Sequence, residues 1–268
     1  MTRITLITLG LSLTACAASP SSTTTSQPTS ADYDDIAQTI ATSTATASTT
    51  TTSGSSLGAG DVIAIRDAVS LARGILPFGF LRDRDGHFRG DHMGIANDFT
   101  IACKDKSGAD QATCNSMTDS ATVTVMLKGS LETPNFSASI DREGMWTITG
   151  LQSATATLDG SASFSLDTTI KSVFHPGVTS TFMFDNSATY TAITVTTADR
   201  EITGGSASFE VKAHRTVTGT ANGSNDVDKS FDVTADLTFN ADHTATLVLD
   251  DMHTFTIDLR TGRITKVS

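Results

Sequence analysis

The chain has 268 residues, with 18 Lys and Arg against 29 Asp and Glu, a formal net charge of −11 and a sequence pI near 4.8. Its basic residues stand mostly singly, which excludes the phosphate-neutralising surface that nucleic acid binding draws on and disfavours electrostatic adhesion to anionic lipid. Only Glu132, Glu143, Glu201 and Glu210 are glutamates and every other acid is Asp, a residue that favours turns and caps over helix interiors, so the bias predicts strands and turns.

At the amino terminus Met1-Thr2-Arg3 precedes an apolar run from Ile4 to Leu13, and Leu13-Thr14-Ala15-Cys16 follows. One early cation, a short apolar core and small residues before a cysteine resemble a bacterial lipoprotein signal, and the run is too short to cross a bilayer as a mature helix. The resemblance implies a signal peptide over residues 1–15, cleavage after Ala15, diacylation of the Cys16 thiol and acylation of the new amino terminus. Each buried CH₂ contributes about 0.8 kcal/mol, so several acyl chains hold such a protein on a membrane. Ala17 replaces the Asp that retains diderm lipoproteins at the inner membrane, which implies the outer membrane in an organism with two membranes. The alternative is an ordinary secretory signal, cut after another alanine of Ala15-Cys16-Ala17-Ala18.

Residues 16–30 are rich in Ser, Thr and Pro and read as a tether. Ala31 to Thr46 has Tyr33, Ile36, Ala37 and Ile40 at helical spacing, with Ser30 or Asp32 as the cap. Thr/Ser/Ala repeats then complete a low-complexity linker to residue 60. Asp61 to Leu76 is the strongest helical pattern, capped by Asp61 and ended by Pro77. Its apolar stripe of Val62, Ile65, Val69, Ala72 and Leu76 is widened by Ile63, Ala68, Leu71 and Ile75, and the polar stripe of Arg66, Ser70 and Arg73 is narrow. Such a helix belongs mostly inside, so residues 61–268 read as one β-rich domain opened by a buried helix, 61–76.

From about Met93 the period becomes two. Ala121, Val123, Val125 and Leu127 alternate with Thr122, Thr124 and Met126, and the same holds for Trp146 and Ile148, for Ala162, Phe164 and Leu166, and for Phe231 to Phe239. Asp159-Gly160, Gly204-Gly205, Asn222-Gly223 and Thr261-Gly262 supply turn signals. The expectation is a mainly β fold: an antiparallel meander, as a sandwich or a curved, open-barrel sheet, with one or two amino-terminal helices packed on it. A membrane barrel is set aside because aromatics are 6% of the chain, the strands read as short, and a lipid anchor would be redundant.

With Cys16 lipidated, Cys103 and Cys114 remain. They bracket a polar turn, and in an exported protein they are expected to form a disulfide closing a hairpin-like loop. A redox pair or metal site is the alternative, but the spacing is not CxxC. Asp83, Asp85, His87, Asp91 and His92 form the only dense polar cluster and are candidate metal ligands, read more plainly as a solvated loop with an Asp-Gly turn. The register is wrong for an EF-hand. His175, His214, His243 and His253 are scattered, with His243 and His253 facing across a hairpin. Asp250 and Asp251 would point to opposite faces of a strand. No nucleophile motif, phosphate loop or cofactor signature appears, and Thr168-Thr169-Ile170-Lys171 lacks any partner motif. Trp146 alternates with Ile148 as a core anchor.

These readings favour a lipid-anchored, exported envelope or surface module that is not an enzyme, uses no cofactor, and meets a membrane through Cys16 but no nucleic acid. Some lipoproteins that traffic envelope lipids use a curved antiparallel sheet plugged by helices, and this chain resembles that plan in element order. The resemblance implies a lipid carrier with a cavity lined by Phe164, Phe182, Phe184, Phe231 and Phe239. A third option is an enzyme whose cleft gathers His87, Asp91 and His92.

Overall fold

The computed structural model describes residues 27–45, 61–76, 80–83, 86–92, 95–219 and 226–267, with the side chains of 91, 92 and 95 left aside. The signal, Cys16, most of the tether, the linker 46–60, Pro77, Asp85 and Asn222-Gly223 lie outside the described residues.

Two helices precede the strands. The first, α1, runs Ser30–Thr44. Its cap is neither Ser30 nor Asp32 but Thr29, whose hydroxyl accepts from the Asp32 amide while the Asp32 carboxylate accepts from the Thr29 amide at 2.8 Å. Asp32 is thus the returning acid of a capping box, which satisfies two otherwise orphaned donors. The second helix, α2, runs Asp61–Ala72, shorter than the apolar stripe suggested. A Gly74-centred Schellman motif stops it: Ile75 N donates to Ser70 O at 2.8 Å and Gly74 N to Leu71 O at 2.9 Å, with Gly74 at φ +76°. Ile75 and Leu76 fall beyond that stop and are exposed.

The strands are β1 Phe80–Arg82, β2 Phe88–His92, β3 Ile95–Asp105, β4 Asp110–Gln111, β5 Thr118–Thr133, β6 Phe136–Thr149, β7 Thr155–Lys171, β8 Thr179–Thr196, β9 Ile202–Thr218, β10 Val227–Phe239, β11 Thr244–Leu249, β12 His253–Asp258 and β13 Arg263–Lys266. All pair antiparallel in chain order as one open sheet, except β4, which folds back on β3. The fold is therefore the mainly β meander with two amino-terminal helices that the periodicity predicts. The strands start earlier than expected, at Phe80. The strands are long rather than short, reaching 18 residues in β8. What separates this sheet from a barrel is that β1 and β13 are free edges of the path, not strand length.

Twelve strands at about 4.8 Å spacing would span about 50 Å if flat, whereas two helices of ~10 Å diameter cover far less. Yet the inner face is buried from Phe99 of β3 through Val123, Trp146, Leu158, Phe184, Phe209 and Leu237 to Phe255 of β12. α2 lies on β3 and β5 and α1 on β11, β12 and β13. The sheet must therefore curl around the helices, so that its inner face closes on them and on itself. α1 belongs to this core: Tyr33, Ile36, Ala37 and Ile40 join the same apolar cluster as the sheet.

Two expected turns are sheet irregularities instead. Asp159-Gly160 lies inside β7, where pairing steps from Leu158↔Ile193 to Gly160↔Tyr190. The one extra residue forms a bulge on β8 at Ala192, φ +51°, whose amide donates to the Asp159 carboxylate at 2.7 Å. The bulge changes parity: Phe184, Ala188 and Tyr190 point inward before it, Ile193 and Val195 after it. Gly204-Gly205 answers the same bulge from β9. Thr261-Gly262 is a true turn, between β12 and β13.

Candidate functional site

The expected loop at residues 83–92 is a hairpin of β1 and β2, with Arg82↔Phe88 as its last pair. Asp83 accepts from the His87 amide at 2.9 Å, and Arg89 bridges Asp83 at 2.7 Å and Asp98 of β3 at 3.0 Å. His87 Nδ1 lies 2.7 Å from Asp98 Oδ1. Burial raises the Asp98 carboxyl, but hydrogen bonds from Arg89 and His87 outweigh it and hold the group below the usual range. Asp83 and His87 are thus drawn into an ion-pair ladder across three strands. Among the described residues no three His, Cys, Asp or Glu side chains gather where they would hold a metal ion.

The other histidines stand apart. His243 and His253 do not face each other: they flank opposite ends of β11, and His253 pairs with Leu249. His243 meets Glu201 at 2.9 Å, His214 meets Asp228 at 2.9 Å, and His253 stacks on Tyr33 at 4.2 Å. Asp250 and Asp251 occupy the β11–β12 turn, both at positive φ, rather than opposite faces of a strand. There Asp250 accepts from the Tyr33 hydroxyl at 2.7 Å and from the Thr234 amide at 2.8 Å, pinning α1 to the turn. Burial and the neighbouring Asp250 push the Tyr33 hydroxyl up to about 12. Thr168 to Lys171 lie on β7. Cys103 and Cys114 are joined by a disulfide closing the β3–β4 hairpin.

The centre of the inner face carries a charged pair. Arg142 on β6 points inward, with its guanidinium against the Asp61 carboxylate at the start of α2. The same Nη2 lies 3.4 Å from Ser43 O near the end of α1, and the guanidinium stands 5.5 Å from the Phe164 ring centre. One buried cation therefore ties both helices to the sheet. Burial pushes the Asp61 carboxyl up, while Arg142 and the Tyr190 hydroxyl pull it back. Burial, followed by Asp61, holds the Tyr190 hydroxyl well above its ordinary value. The signal for this pair was present: counting back by two from Ile148 and Trp146 passes through Gly144 to Arg142 and Ile140.

The five phenylalanines divide. Phe184, Phe231 and Phe239 are buried in the core, and Phe182 is half-buried against it. Phe164 meets Phe184 edge to face at 6.2 Å and also lines, with Ile140 and Leu166, a cleft of about 180 Å³ whose other wall is Gln38, Thr39, Thr42 and Ser43 of α1. The cleft is smaller than the roughly 300–1,000 Å³ usual for a ligand pocket. Trp146 is fully buried, edge to face with Tyr190 at 6.4 Å.

On the opposite face the long strands leave Ser, Thr and Asp uncovered: Ser161, Ser163 and Asp167 on β7, Asp185, Ser187 and Thr189 on β8, Ser206, Ser208 and Glu210 on β9, Asp232, Thr234 and Asp236 on β10. Compared with protein-family models, with curated proteins and with solved structures, the chain finds no match.

Proposed function

We propose that this protein is an exported, lipid-anchored envelope or surface module that acts by binding or by structure rather than by catalysis. The observation that carries the reading is the division of the sheet into two faces. Most of the inner face is committed to packing α1, α2 and its own curled neighbours, while the outer face of β6 to β10 is mainly Ser, Thr and Asp, with Glu143, Met145, Met183, Glu210 and Lys212 among them. A face of this extent suits a broad partner contact more than a catalytic cleft, which needs convergent groups in a concave site. The anchor follows from the resemblance of Leu13-Thr14-Ala15-Cys16 to a lipobox, and α1, capped at Thr29, begins the fold shortly after it.

The test is the intact mass of the full chain expressed in a diderm bacterium. The expected product begins at Cys16 and carries acyl chains that Cys16→Ser abolishes. A product cut elsewhere, with no acyl mass, overturns the anchor.

A second reading, carriage of a lipophilic molecule, draws on the cleft beside Phe164. It predicts a molecule that survives purification, is released on unfolding, and is displaced by Phe164→Trp. A native mass equal to that of the unfolded chain removes it.

A further inference from the structure

We infer that one end of the curled sheet, led by the β7–β8 hairpin tip, docks onto the surface of a lipid bilayer; the inference extends the anchored reading above by naming the face that meets the membrane. At this end of strands β5 to β10 the inner face is mixed: apolar side chains stand beside Thr168, Arg215 and Lys229, and Arg215 meets Asp35 of α1 at 3.5 Å. Register places Leu131, Ala138 and Phe182 in one row with Thr168, Arg215 and Lys229, and Phe136, Ile170, Val217 and Val227 in the next row with Thr133 and Ser180. Of the apolar members Leu131 is 48% and Ile170 51% exposed, while the others are half-buried. Beyond them the tip holds Val173 at 61% and Phe174 at 86% exposure. The tip is built to present them: Ser172 N donates to Val178 O at 2.9 Å, Val178 N to His175 O at 3.0 Å and His175 N to the Ser172 hydroxyl at 3.0 Å. A Phe and a Val held out on an ordered hairpin, beside exposed Ile170, mark an interaction surface.

The place where the chain enters the fold selects a bilayer as the occupant. Asp35 of α1 meets Arg215 at 3.5 Å, and Arg215 pairs with Lys229 across β9 and β10 in the Phe182 row. The chain therefore enters at this end. From Cys16 to Thr29 a chain reaches at most about 45 Å, even fully extended, and the far end of β8 lies about 46 Å from Phe182, just beyond that reach. A lipid on Cys16 thus draws this end, and not the far one, toward the bilayer. Val173 and Phe174 then enter the headgroup–acyl boundary as exposed apolar groups do at membrane interfaces.

The test uses the full chain carrying Phe174→Trp, with vesicles of phosphatidylcholine and phosphatidylglycerol at three to one, half of them brominated on the acyl chain. Flotation reports the anchor, and quenching of the introduced indole reports the tip, with buried Trp146 as the internal reference. The expected result is a blue shift and at least twofold stronger quenching of the new indole. Flotation without quenching overturns the docking and leaves the anchor standing. Quenching in a Cys16→Ser chain that no longer floats stably supports docking without the anchor, and neither signal in either chain sinks both. As a second readout, Val173→Ser with Phe174→Ser should lower the vesicle-bound fraction of the Cys16→Ser chain about tenfold while leaving its melting unchanged. Equal binding overturns the docking, as does burial of the indole by self-association without vesicles, which assigns the patch to a second copy.

Discussion

Arg142 of β6 and Asp61 of α2 form an ion pair in which each side chain is only 2% exposed. Removing one member leaves the other charged and dry, which costs about 3–5 kcal/mol, whereas replacing both with apolar groups of similar volume is often neutral or stabilising. Arg142→Ala should therefore lower the urea unfolding free energy by about 3–5 kcal/mol. Asp61→Leu with Arg142→Met should recover most of it. A single variant within 1 kcal/mol of the parent would show that the pair does not hold the helices on the sheet.

Asp67 on α2 gives a pH dependence. Burial pushes its carboxyl up to about 6, against the pull of Arg66 and Arg200. The folded value is above the unfolded one, so the stability this group contributes is complete below about pH 4 and is lost as pH rises through about 6. Asp67→Asn should melt close to the parent at pH 4 and be more stable at pH 7.5, by about 1–3 kcal/mol. A stability gap that does not change between the two pH values contradicts this.

Gly160 is required by close approach. A β-carbon there would stand 2.2 Å from Met145 O and 2.7 Å from Trp146 Cδ1. Gly160→Ala should cost about 1–3 kcal/mol, since overpacking forces side chains and backbone to shift. It should also change the near-ultraviolet circular dichroism of Trp146. An unaltered Trp146 signal with parental stability would refute the packing argument.

The Cys103–Cys114 disulfide closes a short loop, with a sequence separation of 11. By the chain-entropy argument, replacing both cysteines with serine should cost about 2–3 kcal/mol. The end of α2 rests on this loop, because a β-carbon on Gly74 would come within 2.7 Å of Cys114 O. Amide exchange should therefore rise in Leu71–Gly74 before it rises in β8 or β9. Uniform exchange across the chain would show that the disulfide acts only globally.

Local patterning alone determined the class of this fold. Alternation along Ala121–Leu127 and Phe231–Phe239 implied half-buried strands, and sequential strands implied an antiparallel meander. The stripe in 61–76 implied an inward helix, and the polar turn between Cys103 and Cys114, in a chain read as exported, implied a disulfide. Each is a property of neighbouring residues, which is why it was legible. The tertiary structure decided what depends on residues far apart in the chain. Asp159-Gly160 reads as a turn, but β8 runs past it and turns it into the partner of a bulge. Asp250 reads as a strand residue, but its role comes from Tyr33, 217 positions away. Arg142 falls on the inward parity of β6, and only the arrival of Asp61 and Ser43 makes it the tie between sheet and helices. The edges of the sheet stay apart, and Phe174 stands exposed at the β7–β8 tip. Burial, charge pairing and closure depend on the whole chain at once, and no local window contains them.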